Sequence, residues 1–238
     1  MDDRTLAASW IAEARRVVVL TGAGVSAESG IPTFRGPDGL WRGRDPFALA
    51  TPEAFAADPY LVWEFYNWRR SIVAGALPNP AHHALARLEA RVPAFTLVTQ
   101  NVDGLHRRAG SRNLLEIHGS IEQIRCIDCL ETVDAAGIVL PALPRCDACD
   151  GLMRPAVVWF GESLPSDLWE AALDSVRESD LLLVVGTSAV VHPAAGMIRK
   201  ARGRVIEVNL EPTPASDDSN LSLYGKAGEI LPALLEFP

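Results

Sequence analysis

Four cysteines, Cys126, Cys129, Cys146 and Cys149, form two Cys-x-x-Cys pairs with sixteen residues between them, and the 238-residue chain has no others. Four thiolates at this spacing can surround one tetrahedral zinc ion and close its coordination shell, so the expected ion is structural rather than catalytic. Two disulfides, or a duplicated redox pair, would use the same residues, but a chain of this length needs no disulfide to hold its core. The metal would order a short insert that has little core of its own.

A second chemistry is suggested where apolar runs end in small residues. Val17 to Leu20 leads into Thr21-Gly22-Ala23-Gly24, a turn whose backbone N–H groups can face a pyrophosphate. Such a turn also has a purely structural reading. Ala27 stands where the usual dinucleotide fingerprint has its third residue, and no Walker lysine follows. No acidic residue closes a second early strand, so an ordinary nicotinamide dehydrogenase fits poorly. Gly186-Thr187-Ser188 ends one later apolar run and Asn209-Leu210-Glu211 ends the next. Thr99-Gln100-Asn101-Val102-Asp103 brings two amides and a carboxylate to another strand end. A side-chain amide both donates and accepts, as recognition of a carboxamide requires. A polar loop with Asx turns would read the same way. His118, after Leu114-Leu115-Glu116-Ile117, is placed to act as a base near neutral pH, although a lone histidine often has only a structural role. His82 and His83 start a helix and are poorer candidates; His106 and His192 lie in loops. No serine elbow is present, and the cysteines are taken by metal, which disfavours covalent catalysis.

The elements that must position these groups follow from pattern. Helices are expected over 4–15, within 53–73, over 80–91, 165–177, 194–201 and 226–236, with a helical turn over 104–109. Strands are expected at Val17–Leu20, Phe95–Val98, Leu114–Ile117, Ala156–Trp159, Leu181–Val185 and Val205–Val208, with loops over 31–52 and 211–219. Alternating strands and helices around an insert predict an α/β fold: a Rossmann-like parallel sheet, an additional helical insert and a small inserted four-cysteine zinc-binding module. The expected division is 1–35, 75–119 and 155–238 for the nucleotide domain, 36–74 for the helical insert and cofactor loop, and 120–154 for the zinc module. A 48% apolar composition supplies a core, and the formal net charge of −8 lacks a uniformly basic nucleic-acid footprint. The acidic start and the lack of a long apolar run predict no membrane span, a cytoplasmic location and, as the default, a monomer.

Taken together, the motifs resemble the sirtuin family. The resemblance rests on Gly22 to Gly36 (GAGVSAESGIPTFRG), Thr99 to His106 (TQNVDGLH), His118-Gly119, the cysteines, Val158-Trp159-Phe160-Gly161-Glu162, Gly186-Thr187-Ser188 and Asn209-Leu210-Glu211, in the family's order over about residues 15–235. It implies an NAD-dependent protein-lysine deacylase that consumes NAD and releases nicotinamide and O-acyl-ADP-ribose. By resemblance Gly22, Ala23, Gly24, Glu28, Thr33, Phe34 and Arg35 belong to the NAD pocket or its loop. Gln100, Asn101 and Asp103 line the ribose and nicotinamide region. Gly186, Thr187, Ser188, Asn209, Leu210, Glu211 and Ala227 serve the adenosine half. His118 carries over as general base, and Val158, Phe160, Gly161 and Glu162 as a strand pairing with an acyl-lysine peptide. An NAD-dependent ADP-ribosyltransferase or NAD glycohydrolase would share the early chemistry. A zinc-ribbon interaction module is a further alternative.

Tyr66 and Arg69 are three residues apart, so on a helix they share a face and can grip a carboxylate. A packed aromatic beside a solvated arginine would show the same spacing. The pair, with Ala27-Glu28-Ser29 and Thr33, resembles the class III, sirtuin-5-like group, which implies desuccinylase and demalonylase activity beside deacetylation.

Overall fold

The computed structural model describes residues 2–33 and 41–235. Helix α1 (Asp3–Glu13) leads into β1 (Arg16–Thr21), followed by α2 (Gly24–Ala27), α3 (Pro46–Leu49), α4 (Pro52–Ala57), α5 (Pro59–Gly75), α6 (Pro80–Glu89) and β2 (Ala94–Thr99). Then come α7 (Leu105–Arg108), β3 (Leu114–Glu116), β4 (Gly119–Cys126), β5 (Thr132–Asp134) and β6 (Met153–Val157). The remaining elements are α8 (Ser166–Glu178), β7 (Leu181–Val185), β8 (Arg204–Asn209), β9 (Leu221–Tyr224) and α9 (Ala227–Leu235).

Six parallel strands form one sheet in the order β3-β2-β1-β7-β8-β9. The fold is the expected α/β, Rossmann-like one. Strand β1 alternates its side chains between two cores: Val17 and Val19 pack towards α6 and α9, and Val18 and Leu20 towards α8. Burial on both faces explains its unbroken β-branched run. Full burial of each such side chain is worth about 1.5–3 kcal/mol.

A second, antiparallel sheet has the order β5-β4-β6. Its apolar side chains Ile121, Ile124, Met153 and Val157 share a core with Trp63, Phe65 and Tyr66 of α5. Arg70 of α5 donates to the carbonyls of Ile121 and Ala135, both at 2.6 Å. The helical insert thus supplies the core that the cysteine-bearing segment lacks. Four helices begin alike, with Asp45, Thr51, Asp58 or Asn79 accepting a backbone N–H and a proline next in the chain. The cap satisfies an orphan donor, and proline occupies the first helical position without loss.

Several expectations shift. The strand expected at Ala156–Trp159 is β6, Met153–Val157, and pairs with β4 in the antiparallel sheet. Pro155 is tolerated there because β6 is an edge strand. The 31–52 loop contains α3, residues 194–200 are 3-10 rather than α, and β9 adds an unexpected edge strand.

Candidate active site at the parallel strand ends

Strand β1 has β2 on one side and β7 on the other, so chain order reverses around it. Ligands in open α/β sheets bind at the carboxyl ends of strands at such a point. Here the turns after β1 and β7 interlock. Gly22 N donates to Val185 O at 3.1 Å and Gly24 N to Gly186 O at 2.8 Å. A Cβ on Gly24 would lie 2.7 Å from Gly186 O, and one on Gly186, whose φ is +58°, would lie 2.4 Å from Val25 N. Glycine is required on both sides of this contact. These glycine amides are directed into the protein. Among the described residues, Ala23 N–H is the amide of the turn that takes no partner.

The other strand ends converge on the same place. Gln100 Nε2 donates to Thr187 Oγ1 at 3.0 Å, and Asn209 Nδ2 donates to Thr187 O at 2.7 Å. Asn101 Nδ2 donates to Gly22 O at 3.1 Å and to Ser26 Oγ at 3.2 Å. Ser26 Oγ donates to Asp103 Oδ2 at 2.7 Å, while Leu105 N donates to Asp103 Oδ1 at 2.9 Å. Burial raises the Asp103 carboxyl, against the lowering effect of these bonds and of Arg69. Ser188 follows Thr187 at the rim, and Leu210 and Glu211 are exposed beyond Asn209. Ala227 is buried at the start of α9, where Gly228 N donates to the exposed Glu28 at 2.9 Å. Thr33 is half-buried, and Phe34 and Arg35 lie outside the described residues.

His118 sits where the two sheets meet. Its carbonyl accepts from Val158 N at 2.9 Å, and its Nδ1 lies 2.9 Å from Gln100 O. A carbonyl only accepts, so Nδ1 carries the proton and Nε2 keeps the lone pair. Burial lowers the His118 pKa, partly opposed by the Gln100 bond. The ring is therefore neutral near pH 7, with a free basic nitrogen.

A profile of the Sir2 family matches residues 22–193. The chain is 51% identical to the "NAD-dependent protein deacylase 2" of Pyrobaculum aerophilum over 232 residues, 96% of this chain and 93% of the relative. The chain belongs to the Sir2 family. A solved Sir2 homologue carrying 2'-O-acetyl ADP-ribose superposes with a TM-score of 0.93 at 49% identity, covering 99% of this chain and 95% of that one. A Sir2 complex with a p53 peptide and NAD+ gives 0.88 at 34% identity, covering 99% and 98%.

Neighbouring residues of this Sir2-family chain are tied together by contacts within the protein. Tyr66 is buried on α5, and its Oη accepts from Trp159 Nε1 at 2.9 Å. Burial pushes the phenol up to about 12, so it stays protonated. One turn along, Arg69 lies 5.9 Å from the Phe65 ring centroid and lines a small crevice with Ile31, Pro32 and Trp68. In the chain without a bound peptide, Val158 to Glu162, the segment expected to pair with one, follows β6 outside any regular strand, and Phe160 and Gly161 form a turn. Phe160 N donates to Ala50 O at 2.9 Å, and Glu162 accepts from Arg154 at 2.5 and 2.9 Å.

The four cysteine sulfurs lie within 4.8 Å of one another, with Cys126 and Cys149 at 3.5 Å and Cys129 and Cys146 at 3.6 Å. Tetrahedral bonds of about 2.3 Å would set sulfurs roughly 3.8 Å apart. The cysteines are unpaired as disulfides and fit one closed four-thiolate ion site.

The buried support beneath the Sir2-family site was missed in the sequence. His82 Nδ1 accepts from Asn79 N at 3.2 Å, leaving Nε2 to face Ser26 Oγ at 3.4 Å. His106 Nε2 lies 3.0 Å from Thr21 Oγ1, which donates to Thr99 Oγ1 at 2.8 Å. The available signal was the threonine closing each of two adjacent buried strands, Thr21 opposite Thr99. Burial pushes His82 down to about 4 and His106 down to about 3. Free histidine titrates at about 6.5, so the unfolded chain takes up these protons first and stability falls as pH drops below 6.5, until each folded ring titrates. Each ring costs about 1.4 kcal/mol per pH unit in that window. The urea midpoint is expected to fall steadily from pH 7 to pH 5. A flat midpoint would contradict the neutral wiring of these rings.

Proposed function

We propose that this chain, an NAD-dependent deacylase of the Sir2 family, releases acyl groups from lysine by transfer to ADP-ribose, with a preference that extends to carboxylate-bearing acyl chains. The observation that carries the reading is the His118 Nδ1 contact to Gln100 O, which leaves Nε2 as base at the strand-end crevice. The NAD and 2'-O-acetyl ADP-ribose bound in the related structures support it.

The residues present fit NAD. Ala23 N–H suits its pyrophosphate, Asn101 and Asp103 the nicotinamide end, and Asn209, Gly186 and Ser188 the adenosine end, with Gln100 at the ribose. NAD supplies the ribose carbon that captures the acyl oxygen as nicotinamide leaves, and a hydroxyl for acyl transfer. His118 Nε2 takes the proton of that hydroxyl, while the Gln100 carbonyl holds the imidazole in the required tautomer. The buried Asn101–Ser26–Asp103 chain holds the carboxamide-side groups rigid, which matters because the attacking acyl oxygen is a weak nucleophile. Zinc suits the four thiolates, and a closed shell leaves it a structural role.

Tyr66 and Arg69 supply the acyl preference: a protonated phenol and a guanidinium on one helical face both donate to a carboxylate. Mass spectrometry tests the reaction class. Incubation of NAD with a panel of acyl-lysine peptides is expected to give free lysine peptide, nicotinamide and O-acyl-ADP-ribose. Free ADP-ribose, or ADP-ribose attached to protein, would favour a glycohydrolase or a transferase instead.

A further inference from the structure

Behind Tyr66 lies a buried ladder that the reaction as described leaves unused. Glu162 accepts from the two terminal Arg154 nitrogens, Nη1 at 2.5 Å and Nη2 at 2.9 Å, and from the Trp159 backbone N at 2.8 Å. Arg154 Nη2 also donates to Val157 O at 2.9 Å. The clamped guanidinium lies face-on to the Trp159 indole, 3.4 Å from Cζ to the ring centroid. Trp159 is 3% exposed, and its Nε1 reaches Tyr66 Oη at 2.9 Å across 93 residues of chain. Phe55 packs on the indole with ring centroids 5.2 Å apart.

An indole N–H donates only. Its bond to Tyr66 therefore occupies a lone pair of the phenol oxygen and forbids the reverse polarity. The tyrosine hydrogen must go elsewhere, as a donor. A carboxylate offers acceptors alone, whereas an acetyl methyl offers none. The cation above the indole polarises its N–H and strengthens the chain of donors.

We infer that Trp159 is a positioning residue for acyl selectivity: by donating to Tyr66 Oη it reserves the tyrosine's own proton for the anionic end of the acyl chain. The inference rests on the reading that Tyr66 and Arg69 receive that carboxylate. Phenylalanine at position 159 would keep an aromatic ring against Phe55 and remove the N–H together with the second ring of the indole.

The test is the ratio of kcat/KM for succinyl-lysine to that for acetyl-lysine in one peptide. The ratio does not depend on how much of a preparation is folded. Trp159→Phe is expected to lower it about three- to ten-fold, the effect of one neutral hydrogen bond. Tyr66→Phe lowers it at least as much, and adding Trp159→Phe to Tyr66→Phe produces no further fall, because the two act through one hydroxyl. A role in packing alone would lower both rate constants together and leave the ratio unmoved. An unchanged ratio in Trp159→Phe, or an undiminished further fall in the double variant, overturns the inference. If Trp159→Phe yields no protein, Glu162→Gln, which loosens the clamp on Arg154, decides by the same ratio: lowered for, unchanged against. Arg69→Met separates the two levels. A lowered ratio there with none in Trp159→Phe refutes the role of Trp159 alone, whereas an unchanged ratio in Arg69→Met removes the carboxylate reading and this inference with it.

Discussion

Replacing His118 with alanine is expected to lower kcat/KM for acyl-lysine cleavage by about 10²- to 10⁴-fold, the usual contribution of a positioned general base. The structure gives this loss a specific origin. Gln100 O can only accept, so it holds the proton on Nδ1 and leaves Nε2 unprotonated at the crevice. Calorimetric titration of the variant with NAD should still show binding, because Asn101, Asp103 and the interlocked glycine turns do not depend on the imidazole. Wild-type enzyme should also show an acid limb in kcat/KM with its midpoint below pH 6.5, since burial lowers the His118 pKa and only the neutral ring is a base. A His118→Ala variant within ten-fold of wild type, or an acid limb centred well above pH 6.5, would remove the ring from this role.

Arg69→Met is expected to lower kcat/KM for succinyl-lysine about ten- to a hundred-fold more than for acetyl-lysine in the same peptide. That range corresponds to one hydrogen bond to a charged group, about 1.5–3 kcal/mol. Methionine keeps most of the aliphatic stem that packs near Trp68 and Ile72, so the crevice lining survives and the charge does not. Steady-state kinetics on the two peptides decides the matter. Losses of equal size on both would identify Arg69 as a packing residue and return the acyl preference to an open question.

Local pattern made much of the fold readable. Val17–Leu20 and Leu181–Val185 are unbroken apolar runs because β1 and β7 are covered on both faces, and they emerge as adjacent central strands. Edge strands carry weaker patterns. Leu221–Tyr224 is short with a partly exposed sequence, and β6 contains Pro155, so the first went unseen and the second was placed three residues late. The cysteine spacing was enough to propose a four-thiolate site because the ligands are local pairs, and the sulfurs do gather within 4.8 Å.

Residue order alone determined which groups stand at strand ends, and therefore that glycines, amides and a histidine would face one crevice. It could not say what each group does there. That Gly22 and Gly24 turn their amides inward, that His118 is held in one tautomer by Gln100, and that the Glu162 carboxylate braces Arg154 were decided only by packing. Such pairings join segments far apart in the chain, as Trp159 joins Tyr66, and depend on distances that no periodicity encodes.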